Sequence, residues 1–256
     1  MARIISISNQ KGGVGKTTSA INLSAALAVS EKRTLLVDCD PQGNATTGIG
    51  IDKRRITKTL YHGLIGEANG ADLIIDTEIG TLKVIPSNIE LIGIEVEMID
   101  YPEREKILKK LLKDIEDDFE FIIIDCPPSL GLLTVNALTA ANLVIIPLQC
   151  EFYALEGLGQ LLQTVRRIKH NLNADLGIAG ILLTMFDKRT NLSQQVAVDA
   201  QKHFKALVFK TIIPRNVRLS EAPSFGKPIL LYDAMSLGAK SYFDLAKELM
   251  NRLNTS

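Results

Sequence analysis

Residues 4–18, reading IISISNQKGGVGKTT, constrain the fold more than any other stretch. The isoleucine-rich run at their start has the length and composition of a buried strand. A turn built on Gly12, Gly13 and Gly15 follows, and Lys16-Thr17-Thr18 opens an Ala/Leu-periodic helix to about Val29. Strand, glycine-rich turn, Lys-Thr and helix in that order predict a phosphate-binding loop. Glycine lets successive backbone N–H groups face a polyphosphate with no Cβ in the way. The helix N-terminus adds free donors and partial positive charge. In such a loop Lys16 reaches the β- and γ-phosphates of ATP, and the Thr17 hydroxyl ligates Mg²⁺. Gly12, Gly13, Val14, Gly15, Lys16, Thr17 and Thr18 are therefore the candidate nucleotide-binding residues.

The loop departs from the common pattern G-x-x-x-x-G-K-[ST]. Its first glycine would fall at Gln10, and a second lysine, Lys11, stands inside the loop. Lys-Gly-Gly-Val-Gly-Lys-Thr-Thr resembles the deviant Walker A loop of the ParA/MinD ATPases, relatives of nitrogenase iron protein and the arsenite-pump ATPase. In that family the extra lysine crosses a dimer interface to the partner's nucleotide. The resemblance gives that role to Lys11.

The second strand, Arg33 to Asp40, ends in two carboxylates, Asp38 and Asp40, before a Pro41-Gln42-Gly43-Asn44 turn. Acidic residues at a strand's carboxyl end beside a phosphate loop suit metal or water chemistry. Asp40 ahead of Pro41 also reads as a helix cap. Asp-Cys-Asp-Pro-Gln-Gly-Asn resembles the second signature of the ParA family. The resemblance makes Asp40 the group that positions the attacking water and Asp38 a support for the Mg²⁺ shell. A third strand, 119–125, runs Phe-Glu-Phe-Ile-Ile-Ile-Asp into Cys126-Pro127-Pro128-Ser129. Asp125 reads as the Walker B carboxylate, holding Mg²⁺ through water because that ion keeps much of its hydration. The Pro-Pro-Ser-Leu-Gly turn is placed to sense the γ-phosphate.

Strand and helix alternate along the rest. Strands are expected at Thr81–Pro86, Leu143–Pro147 and Ile178–Met185, and helices at Glu103–Asp117, Leu155–Ile168 and Leu192–Phe204. Residues 51–101 carry no clear period. With no repeats and no low-complexity linker, this predicts an α/β fold with a doubly wound, mostly parallel sheet flanked by helices. Residues 1–256 form one P-loop ATPase domain on this reading, with its ligands at the strands' carboxyl ends.

Net charge is zero, with 29 basic and 29 acidic residues, so no global field draws the chain to nucleic acid or membrane. The halves differ. Residues 67–120 hold 15 acidic and 6 basic side chains, and residues 160–230 hold 11 basic and 4 acidic. The basic half fits either an anionic partner or a solvated surface. Cys39, Cys126 and Cys150 match no zinc spacing and, being odd in number, no disulfide framework. No signal peptide opens the chain and no apolar run approaches the roughly 18 residues of a spanning helix. A cytoplasmic protein is expected.

Thr211 to Pro228 reads from its residues as a strand end, a turn and a basic segment. It closely resembles the same stretch of chromosomal ParA proteins, where Pro214 and Asn216 would frame the adenine. Thr184 to Thr190 resembles them too, and arginines matching Arg189 and Arg218 contact DNA there. No helix-turn-helix extension like that of plasmid ParA proteins is expected ahead of the loop. Four motifs spanning nearly the whole chain thus imply a partitioning ATPase that uses Mg²⁺ and ATP. Its ATP-dependent homodimer would bind double-stranded DNA without sequence preference on the nucleoid. A ParB-type partner would stimulate its slow hydrolysis. The alternative is a MinD-like membrane-cycling ATPase. An iron-protein-like redox role lacks the paired cysteines of a shared cluster. The last helix, about Gly238 to Leu253, has the mixed face of a helix packed on the sheet rather than the basic face of a lipid-binding one.

Overall fold

The computed structural model describes residues 2–254, apart from the side chain of residue 156; residues 1, 255 and 256 of the expected domain lie outside the described residues. Strands β1 (Arg3–Ile7), β2 (Thr34–Asp38), β3 (Ile75–Asp76), β4 (Leu82–Ile85), β5 (Phe121–Asp125), β6 (Leu143–Gln149) and β7 (Gly177–Thr184) form one sheet. Their order is β3-β4-β2-β5-β1-β6-β7. Every pairing is parallel except β3 with β4. This is the doubly wound, mostly parallel sheet that the alternation predicts.

The helical segments among the described residues are α1 (Lys16–Val29), α2 (Asn44–Gly48), α3 (Leu60–Leu64), α4 (Ile94–Glu97), α5 (Ile107–Lys113), α6 (Leu132–Ala140), α7 (Ala154–Asn171), α8 (Asn191–Phe204), α9 (Val217–Glu221), α10 (Ile229–Tyr232) and α11 (Leu237–Asn254). The central strands β2 and β5 are buried at every position. Helices cover both faces, so these strands read as unbroken apolar runs rather than alternating ones. The pleat still divides them. Ile4, Leu35, Ile122 and Ile124 join one core with α5 to α8, and Ile5, Leu36, Ile123 and Ile145 join the other with α1 and α11. Each such side chain contributes about 1.5–3 kcal/mol over its exposed state.

On its inner face α11 buries Tyr242, Leu245, Ala246 and Leu249. Tyr242 meets Ser19 of α1 through a buried contact of their hydroxyl oxygens at 3.1 Å. The apolar face of the last helix is thus used inside the fold. No described helix is long and apolar enough to cross a membrane.

Three elements differ from expectation. The Glu103–Asp117 helix is α only over Ile107–Lys113, with 3-10 turns at either end. Thr211–Ile213 is not a strand; Ile213 donates its N–H to the Leu183 carbonyl of β7 at 2.9 Å, and Phe186 and Pro214 form an isolated bridge beyond the strand's end. The basic segment after it contains the short α9, capped by Asn216, whose Oδ1 accepts the Arg218 N–H at 2.8 Å.

Candidate nucleotide-binding site

Parallel pairing brings the loop after β1 and two strand-end carboxylates to one place. Ile7 is in register with Asp125, and Asp125 with Asp38. The loop then turns through Gly13 and Gly15, with φ of +73° and +85°, and α1 begins at Lys16. These two left-handed positions favour glycine. Thr184, at the end of β7, braces the loop by donating from Oγ1 to the Val14 carbonyl at 2.9 Å. Asn9 ties it to β6, its Nδ2 donating to the Pro147 carbonyl at 2.7 Å.

Lys16 is buried and its Nζ donates to the Lys11 carbonyl at 3.0 Å. Burial lowers its pKa, against the opposing pull of Asp125, Cys126 and Asp40. Asp38 and Asp125 are both fully buried, yet their surroundings differ. Asp38 Oδ2 accepts the Thr46 N–H at 2.8 Å and its hydroxyl at 2.7 Å, and Oδ1 accepts the Asp40 N–H at 3.1 Å. Even so, burial raises its pKa to about 6. Neither oxygen of Asp125 has a hydrogen-bond partner. Burial and the neighbouring Asp38 push its pKa well above the usual carboxylate range, opposed by the Thr17 hydroxyl and the Lys16 ammonium. Asp40 sits at the mouth, its Oδ1 accepting the Gln42 N–H at 2.9 Å.

A buried carboxylate with two open oxygens beside a phosphate loop is a fit for a hydrated cation. Among the described residues no three His, Cys, Asp or Glu side chains could hold a metal by themselves. One carboxylate, the Thr17 hydroxyl, water and phosphate oxygens is the donor set Mg²⁺ takes in nucleotide sites. Asp125 and Thr17 would be its nearest protein groups. Asp38, with its oxygens already engaged, holds the Asp40 and Thr46 backbone beside it.

Two cavities share Gly15, Thr18 and Met185. One, about 410 Å³, is lined by the glycine loop, Lys16, Asp40 and Pro128. The other, about 460 Å³, is lined by Ile213, Pro214, Asn216, Val217 and Tyr242. A polar pocket continuous with a more apolar one suits a phosphate tail joined to a heteroaromatic base. Met185, at the junction, has φ +51°, a strained conformation for a long side chain.

Comparisons agree with this geometry. A family model described as an AAA domain matches residues 2–178. The sporulation initiation inhibitor protein Soj of Bacillus subtilis is 57% identical over 249 residues, covering 97% of this chain and 98% of that protein. The chromosome partitioning protein ParA of Myxococcus xanthus is 56% identical over 252 residues, covering 98% and 89%. The chain belongs to the Soj/ParA family of partitioning ATPases. Cobyrinic acid a,c-diamide synthase from Mycobacterium smegmatis, solved with a bound ATP analogue and magnesium, superposes with a TM-score of 0.88 at 36% identity over 100% of this chain and 97% of that one.

The remaining candidates of this Soj/ParA chain lie outside the cleft. Lys11 is half-exposed and its Nζ pairs with Glu151 Oε2 at 3.0 Å. Arg189 is exposed and forks onto Asp187, with Nε–Oδ1 at 2.9 Å and Nη2–Oδ2 at 2.7 Å. Arg218 meets Glu221 at 3.0 Å and Asp233 at 3.5 Å. Cys39, Cys126 and Cys150 are buried free thiols. Thr46, Ser87, Glu151 and Met185 matter to the site and were not singled out by sequence. Ser87 and Glu151 reach the site through residues far off in the chain, Thr46 through Asp38 across a turn, and no local pattern marks them.

Proposed function

We propose that this chain works, as one ATPase domain over residues 1–256, in DNA segregation. It binds Mg²⁺ and ATP, dimerises through the nucleotide face, and in that form holds double-stranded DNA without sequence preference. A ParB-type protein then stimulates its slow hydrolysis and resets it. Such a cycle belongs in the cytoplasm on the nucleoid. The observation that carries the nucleotide part is Asp125, buried with both oxygens open beside the loop that buries Lys16.

Each residue has a role that its position supports. Gly12, Gly13, Val14, Gly15 and Thr18 offer loop donors to phosphate, and Lys16 neutralises its charge. When bound, Mg²⁺ supplies charge neutralisation and orientation of the β- and γ-phosphate oxygens. Asp40, at the mouth, orients the attacking water and holds its proton. Asp38 fixes the Asp40 backbone. Pro214 and Asn216 frame the base, with Asn216 also capping α9. Lys11 leaves Glu151 to reach the partner's nucleotide. Arg189 and Arg218 contact DNA phosphates.

ParA of Myxococcus xanthus and other relatives that match nearly the whole chain bear partitioning names, and the inner face of α11 is packed on α1. The membrane-cycling alternative is therefore not favoured. Phosphate release decides the reading when measured with ATP alone, with added DNA, and with DNA plus the ParB-type protein of the same cell. A rise only with DNA and partner supports it. A rise with anionic vesicles and none with DNA would overturn it.

A further inference from the structure

Residues 89–101, Ile-Glu-Leu-Ile-Gly-Ile-Glu-Val-Glu-Met-Ile-Asp-Tyr, carry two apolar rows. Leu91, Ile94 and Met98 are buried in the core. Ile89, Ile92, Val96 and Ile99 are 59%, 59%, 75% and 65% exposed. Steps of three and four residues place such a row on one side of a helical segment. Single exposed isoleucines are ordinary, whereas a contiguous row marks an interaction surface. Glu90, Glu95, Glu97 and Asp100 are exposed along the same stretch, which contains no lysine or arginine.

This segment touches both loops of the nucleotide site. Ser87, two residues before the row, donates from Oγ to the Asp40 carbonyl at 2.6 Å. Its N–H donates to Thr46 Oγ1 at 3.0 Å, and that hydroxyl in turn holds Asp38. Asn88 caps the first turn of the row, its Oδ1 accepting the Glu90 N–H at 3.2 Å. On the other side Glu95 Oε1 accepts the Leu132 N–H at 2.9 Å, just after the Pro127–Gly131 turn.

We propose that the row Ile89, Ile92, Val96 and Ile99 is where a basic amphipathic segment of the stimulating protein docks, and that docking acts on Asp40 through Ser87. This rests on the reading above that a partner protein stimulates hydrolysis. Apolar side chains of such a segment cover the row while its lysines or arginines meet the four carboxylates. Duplex DNA is repelled by the same charges. A second copy of the chain would set this acidic row against itself in a two-fold contact, which like charge opposes.

The probe is the ParB-type protein of the same cell, with ATP and DNA present. Val96→Cys carries a bimane label, since the three native thiols are buried. Its emission should shift to the blue, saturably, as the partner is added. Ile92→Ser with Val96→Ser, and separately Glu90→Lys with Asp100→Lys, should each raise the partner concentration for half-maximal stimulation about tenfold, the scale of losing central interface side chains. Basal hydrolysis and ATP-dependent dimerisation should stay as in the unaltered protein. Ser87→Ala should keep the bimane shift and lose most of the stimulation, with Ser87→Thr restoring part of it. Full stimulation of both double variants, or an unshifted label while stimulation proceeds, overturns the docking site. Loss of the ATP dimer in the serine variant assigns the row to a second copy instead. An unaltered protein that the partner never stimulates defeats the partner reading itself, before any variant is made.

Discussion

Lys11 Nζ and Glu151 Oε2 stand 3.0 Å apart, each about half exposed, while the Lys11 carbonyl holds the Lys16 ammonium. The lysine expected to cross to a partner is thus held at home by a carboxylate on the loop after β6. An exposed pair of this kind is worth about 0–1 kcal/mol. Its release is therefore a small obstacle. Glu151→Gln should lower the ATP concentration for half-maximal dimerisation by up to about fivefold. Lys11→Ala should instead dimerise weakly and hydrolyse poorly. Light scattering across an ATP titration checks both, and weaker dimerisation of Glu151→Gln would mean that this carboxylate serves the dimer rather than the monomer.

Comparing loss of the loop's ammonium or hydroxyl with loss of the Asp40 carboxylate separates binding from hydrolysis. Lys16→Ala and Thr17→Ala should lose ATP-dependent behaviour, seen as lost affinity for a fluorescent ATP analogue. Asp40→Ala should keep that affinity, stop hydrolysis and accumulate as an ATP-bound dimer, because the carboxylate handles water rather than phosphate. A monomeric Asp40→Ala protein at saturating ATP contradicts the scheme.

Asp125 gives a test that needs no activity. Its pKa is raised by burial and by Asp38, and its oxygens have no partner. Between the unfolded and the folded pKa the native state binds more protons than the unfolded chain, so stability falls as pH rises through that window. Asp38, raised to about 6, adds to the same trend. Nucleotide-free Asp125→Asn should accordingly be more stable at neutral pH, by about 1–3 kcal/mol, with a weaker decline above pH 5. Urea unfolding at pH 5 and pH 7.5 measures this. Mg²⁺ and ATP should stabilise the unaltered protein and not the variant. A variant less stable than its parent at neutral pH would show that the carboxylate is satisfied in the native chain.

The site was legible where its chemistry is local. Strand, glycines, Lys16 and α1 succeed one another in one short stretch, and the helix begins and ends where the pattern places it, at Lys16 and Val29. The carboxylate-ended strands were equally plain, because central parallel strands are apolar on both faces. What lay hidden depends on distant pairs. Leu132–Ala140 has no polar face to set a period, since Leu133, Ala137, Leu138 and Ala140 are all buried. Residues 51–101 fold into the short strands β3 and β4 and short helical turns, stabilised by contacts such as Ser87 with Thr46 and Asp40, more than 40 positions away. Ser87 is an ordinary polar residue in sequence and becomes part of the site only when β2 and β4 lie side by side.

The DNA assignment turns on two arginines that are both paired in this structure. Arg189 forks onto Asp187, and Arg218 meets Glu221. Both are largely exposed, so each carboxylate competes only weakly with a phosphate backbone. Replacing either arginine with alanine should weaken DNA binding equally across sequences. A two-fold dimer loses about two phosphate contacts per substitution. The slope of log affinity against log salt should therefore become shallower by about 1.8 units, at roughly 0.9 per phosphate. Asp187→Asn should move affinity the other way by freeing the Arg189 guanidinium. ATP binding and dimerisation should survive in all three, since none of these side chains lines the cleft. Fluorescence anisotropy of a labelled duplex at several salt concentrations reads affinity and slope together. An unchanged slope in both arginine variants would leave them as surface ion pairs and move the DNA contacts to other residues of the basic half.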